Sequence, residues 1–161
     1  MKIKFAAHEF LLVDATTAFD FTNDARNFVS FVGFGIVPGI REARYETPGA
    51  PRLGSRRRIT KTDGTDHLEE ITAFEKPTLH VSRISGLTAP LSWLVRSAED
   101  AWRFSPASSG TRIDRVFAFE LTSPLVAPIA FPLMHIFMRI AIRRDLRNVS
   151  NALRQRSASA A

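Results

Sequence analysis

"PLVAPIAFPLMHIFMRIAIRRDLRNV", residues 124–149, decides between a membrane span, a core helix and one wall of a ligand cavity. In the nineteen residues from 124 to 142 only His135 and Arg139 are strongly polar, close to the length that crosses a bilayer. Pro124, Pro128 and Pro132 argue against a continuous span, because each lacks the amide hydrogen that a helix interior needs. Beyond residue 132 proline stops. Met134, Met138, Ile142, Leu146, Val149 and Leu153 then recur at helical spacing, with Arg139, Arg143, Arg147, Asn151 and Arg154 on the other side. The spacing predicts an irregular or short helical lead over residues 124–131. An unbroken amphipathic helix follows over about residues 133–154, its methionine and leucine stripe packed on protein. No transmembrane span is expected; peripheral contact of the proline-rich lead with a membrane or partner stays open.

Upstream of this helix the periodicity is that of strands. Ile3, Phe5 and Ala7, then Phe10 and Leu12, alternate with one slip, which predicts a first strand with a bulge. Asp14 ahead of "ATTAFDF" and Asn23/Asp24 ahead of "ARNFVSFVGF" are good helix caps, so two short helices follow. Turns at "TPGAPRLG", "TDGTD", "EKPT", "SGLTAP" and "SPASSG" then separate six strand-length runs: residues 40–47, 55–62, 67–75, 79–85, 98–105 and 111–122. "PLSWLVR", residues 90–96, fits either a strand extension or a covering loop.

The 161 residues suit one domain, residues 1–156, with a frayed tail at 157–161. Cysteine is absent, which excludes disulfides and thiolate chemistry. The start "MKIKFAAHEFLLVD" interrupts its apolar residues with His8 and Glu9, unlike a secretory signal, so the cytoplasm is the default compartment. A net charge of +6 comes mostly from arginine, and residues 139–156 hold six arginines against the single acid Asp145. No aromatic residues interleave there, so the cluster reads as a solvated helix face and nucleic acid is not expected as a partner.

The order of elements and several stretches resemble the START-like (SRPBCC) superfamily, in particular its polyketide cyclase/dehydrase-like branch. The stretches are "VDATTAFDFTND", "RLGSRRRIT", "EEITAFEKPTLHVSRISG", "AWRFSPASSGTRIDRVFAFEL" and "RRDLRNVSNAL", in order over nearly the whole chain. Phe19, Phe28 and Phe31 stand where members often carry tryptophan. The resemblance implies an α+β helix-grip fold: a curled antiparallel sheet of about seven strands around a long C-terminal helix, with two short helices after the first strand. It also implies a cavity between sheet and helix for a small apolar molecule such as a lipid, polyketide or aromatic compound. It implies no reaction and carries over no catalytic residue; no cofactor is expected.

The residues themselves show no nucleophile beside a base, and four scattered histidines offer no zinc site. Candidate cavity residues are Glu69, Trp93, Asp100, Trp102, Arg115, Phe117, Phe119, Met134, His135 and Met138, with Phe104 and Phe137 as further apolar candidates. His67 and Glu69 share one strand face and together suit the orientation of a proton acceptor; a solvated pair is the alternative. "SRRR", residues 55–58, reads as a solvated edge, or as one inward arginine for an acidic ligand head. On residues 111–121 the alternation puts Arg115 among Ile113, Phe117, Phe119 and Leu121, and the preceding strand puts Asp100 on the face of Trp102 and Phe104. Closing the "PASSG" turn in that register brings Asp100 opposite or diagonal to Arg115, predicting an ion pair. Hydrophobic ligand binding leads the functional readings. A polyketide cyclase/dehydratase-type enzyme and a module docking on a membrane or protein through the C-terminal helix are the alternatives; the oligomeric state is left open.

Overall fold

The computed structural model describes residues 1–159; the last two positions of the expected tail, 160 and 161, lie outside the described residues. Strand β1 (Lys2–Leu11) turns Ile3, Phe5 and Leu11 to the core and leaves Phe10 and Leu12 outside. Its pairing with residues 111–120 runs without a register shift, so the expected bulge is absent: the slip came from counting two outward apolar residues as inward ones. Asp14 caps α1 (Ala15–Asn23), accepting the Thr17 amide at 3.0 Å. Asp24 caps the following 3₁₀ segment (Ala25–Ser30) through the Arg26 amide.

The meander comprises β2 (Ile40–Tyr45), β3 (Arg56–Lys61), β4 (Asp66–Glu75), β5 (Leu79–Ser85), β6 (Val95–Ala107) and β7 (Gly110–Leu121). With β1 they form one antiparallel sheet of seven strands in the order β1-β7-β6-β5-β4-β3-β2, which does not close. Register shifts in β2, β4 and β6 supply local bends that help it curl. "PLSWLVR" is divided: Leu91–Leu94 is a single helical turn, α2, and Val95 already opens β6 opposite Leu121.

Helix α3 (Ala127–Ser159) lies across the concave face, with Met134, Met138, Ile142, Leu146, Val149 and Leu153 all buried. This is the α+β helix-grip fold. The helix begins earlier than expected. Ser123 caps a 3₁₀ turn (Pro124–Val126), and Pro128 falls in the first turn of α3, where an amide hydrogen would have no helical partner. Pro132 leaves only the Pro128 carbonyl without its helical donor, and both prolines are exposed, so solvent can satisfy it. At the other end the helix continues through Ser159, so residues 157–159 are helical.

Candidate functional site

Strand alternation sets the inner wall. Arg57, Ile59 and Lys61 of β3 share the concave face with His67, Glu69 and Ile71 of β4, with Asp100, Trp102 and Phe104 of β6, and with Arg115, Phe117 and Phe119 of β7. Two buried charge clusters stand on it. In the first, Arg115 forks onto Asp100, with Nε donating to Oδ1 at 3.0 Å and Nη2 to Oδ2 at 2.8 Å. Phe117 is the residue directly opposite Asp100, so the pair is diagonal. Trp102 Nε1 also donates to Asp100 Oδ2, and the guanidinium lies 4.1 Å from the Trp102 ring centre and 4.6 Å from that of Phe117. From α3, Asp145 accepts Arg115 Nη1, and its other oxygen accepts from Ser30 Oγ at 2.8 Å. Burial raises the Asp145 carboxyl above its ordinary value, with Arg115 opposing and Asp100 adding to the rise.

In the second cluster Arg57 Nε donates to Glu69 Oε2 at 2.6 Å, while its other nitrogens donate to Tyr45 Oη at 3.0 Å and Ser82 Oγ at 3.2 Å. Burial pushes the Glu69 carboxyl up, yet Arg57 and His67 together hold it well below the usual carboxylate range. His67 Nε2 lies 3.1 Å from Glu69 Oε1; its Nδ1 is buried and meets no partner. Lys61 is also buried, and burial lowers its ammonium against the through-space pull of Asp63 and Asp66.

Between these clusters, the 31–40 loop and α3 lies a cavity of about 110 Å³. Ile84, Ala98, Phe117, Phe119 and Met138 supply apolar wall, and Lys61, His67, Glu69 and Arg115 the polar side. Gly35 seats the loop on the helix: its φ is +59°, and a Cβ there would fall 2.5 Å from the Phe137 ring. A recess of about 20 Å³ beside it is bordered by Trp102, Arg115 and Asp145.

Of the candidate residues, Glu69, Arg115, Phe117, Phe119 and Met138 meet at the cavity. Asp100 and Trp102 stand behind them as partners of Arg115, and Met134 packs in the core away from the cavity wall. Trp93 is a correction: α2 turns it outward, leaving it 71% exposed. His135 is another, since it sits half-buried between Phe5 and Phe131, beside Arg139, and not on the cavity wall. The solvated-edge reading of residues 55–58 holds for Arg56 and Arg58, which pair with exposed acids. Arg57 instead faces inward, but toward the protein's own Glu69. Sequence reasoning left out Lys61 and Asp145. The signal for Asp145 was its position, three residues after Ile142 and four before Val149 on the buried stripe.

A family model for polyketide cyclase / dehydrase and lipid transport proteins matches residues 3–156. The chain belongs to this family, a branch of the START-like (SRPBCC) superfamily. Among curated proteins none matches it by sequence. Solved structures show the fold. TTHA0849 from Thermus thermophilus is 14% identical with a TM-score of 0.72, covering 96% of this chain and 99% of that one. The di-domain ARO/CYC StfQ from the steffimycin biosynthetic pathway is 13% identical with a TM-score of 0.72; the match covers 98% of this chain but 52% of StfQ. Ara h 8.0201 is 14% identical with a TM-score of 0.68, covering 96% of this chain and 99% of that one.

Proposed function

We propose that this family member binds a small hydrophobic ligand, a lipid, polyketide or aromatic compound, between the sheet and α3. The observation that carries this is the convergence of Phe117, Phe119 and Met138, from sheet and helix, on a cavity whose wall also includes Ile84 and Ala98. Its volume is near that of the roughly 150 Å³ apolar cavities that admit a benzene ring, so the described form fits a compact ring or one end of a longer molecule. Native mass spectrometry of protein purified from its own host tests the reading. A bound apolar molecule that is lost on denaturation is expected, and consistently ligand-free protein counts against it.

A peripheral membrane site is the second reading, and an exposed apolar stripe favours it. Leu125 of the preceding 3₁₀ turn and Ile129, Leu133 and Ile136 of the first turns of α3 are all exposed, Leu125 at 87%. Of the most apolar window in Pro124–Ser159 only 28% is buried, although that stretch is long and apolar enough to cross a membrane. Arg139, Arg143 and Arg147 follow on exposed positions, an arrangement suited to anionic headgroups. A carrier docked there would collect its ligand from the bilayer. The cyclase/dehydratase reading has its own support in the His67 and Glu69 pair at the cavity, where a carboxylate orients an imidazole.

A further inference from the structure

The cavity is apolar on one side only, and its polar side is unevenly satisfied. Glu69 is engaged by Arg57 and His67, while Arg115 is engaged by Asp100 and Asp145, so neither charge calls for a ligand. His67 and Lys61 differ. Glu69 lies at Nε2, and in the neutral imidazole a donor facing that carboxylate leaves Nδ1 as an acceptor. That Nδ1 is buried without a partner, a state folded proteins seldom leave uncompensated. Lys61 lines the same cavity; Ile59 lies opposite His67, so Lys61, two residues on along β3, is its diagonal neighbour on the same face. Its ammonium makes no hydrogen bond to Asp63 or Asp66, which act on it only through space.

We propose that Lys61 and His67 form the head-recognition site for a compact aromatic or enolic ligand carrying a hydroxyl beside an oxyanion. The hydroxyl donates to His67 Nδ1 and the oxyanion accepts from Lys61 Nζ. The ring or chain behind them packs on Phe117, Phe119 and Met138. This rests on the ligand-binding reading above and narrows its substrate class: a purely hydrocarbon ligand would leave Nδ1 unpaired and the ammonium further desolvated. The Arg57 bridge has a positioning role, because it keeps Glu69 charged and thereby fixes which imidazole nitrogen faces the ligand.

The test is an NMR titration of the whole protein with toluene, phenol, benzoate and 2-hydroxybenzoate, followed through backbone amides near the cavity and the imidazole nitrogens. In the wild-type protein 2-hydroxybenzoate is expected to bind at least about tenfold more tightly than toluene. Phenol should move the Nδ1 resonance of His67 where toluene does not. His67→Phe should abolish the advantage of phenol over toluene, and Lys61→Met that of benzoate over toluene, with melting curves confirming that both variants fold. The wild-type nitrogen shifts decide the matter if a variant does not fold. Toluene binding with no preference for phenol or benzoate, or preferences that survive both substitutions, overturns the head assignment and leaves the ligand cavity standing. Failure of all four compounds to bind overturns the head assignment, and the ligand-binding reading is then decided by the native mass measurement.

Discussion

Arg115 is a charge that the fold buries among aromatic rings, and its cost is offset by two carboxylates from different elements. Asp100→Ala removes the forked partner and should lower stability by about 3 kcal/mol in urea unfolding, whereas Glu70→Ala, which breaks an exposed bridge to Arg56, should cost under about 1 kcal/mol. Asp145→Asn should cost less than Asp100→Ala, because burial already disfavours the Asp145 charge and an amide retains hydrogen-bonding capacity toward Arg115 and Ser30. The diagonal pairing of Asp100 with Arg115 was readable from the period of two on neighbouring strands joined by a short turn. Asp145 was harder to read, since its role depends on how α3 is rotated over the sheet. A further expectation concerns His80, whose Nε2 lies 2.7 Å from Ser82 Oγ. Burial, then the charge of Arg57, pushes it down from 6.5 to about 3. The unfolded chain therefore takes up a proton that the fold refuses. The stability this residue contributes is complete above pH 6.5 and lost as pH falls toward about 3, by up to roughly 4 kcal/mol. Urea midpoints across that window should decline in the wild type and decline less in His80→Phe.

At the level of elements, α3 has two halves with different jobs. Its later turns show a clean division into a buried stripe and an arginine face, which made the core helix readable from residue spacing alone. Its first turns are apolar around much of the circumference, and there the prolines misled: they predict an interruption, whereas Pro128 falls where a helix tolerates it and Pro132 costs one helical hydrogen bond at an exposed position. Met138→Arg should abolish both ligand uptake and cooperative melting, because it drives a charge into the core and the cavity wall. Arg143→Glu should leave melting and uptake unchanged. In co-sedimentation with phosphatidylglycerol vesicles the double variant Ile129→Glu, Ile136→Glu should lose about tenfold in binding, with a melting temperature within about 2 °C of wild type. Equal recovery of this variant and the wild type with the vesicles would remove the membrane reading.

Across the whole molecule, turn residues at nearly every reversal of the meander and the length of the last helix marked out the elements, while their assembly as a sheet curled around that helix was foreseen from the family resemblance. The cavity was foreseen only through family resemblance. Its shape depends on contacts far apart in the chain, such as the seat of Gly35 on Phe137 and the pairing that brings Arg57 to Glu69, and no local pattern announces either. The pairing of β1 with β7 also bears on synthesis and assembly. Lys2 meets Glu120 and Leu11 meets Thr111, so the first strand made must wait for nearly the last one before it gains a neighbour in the sheet. Until then its outward Phe10 and inward Ile3 and Phe5 are available to any passing chain. Such long loop closure slows folding, and a nascent chain stalled before residue 110 would hold an unpaired strand edge that invites chaperone binding or aggregation.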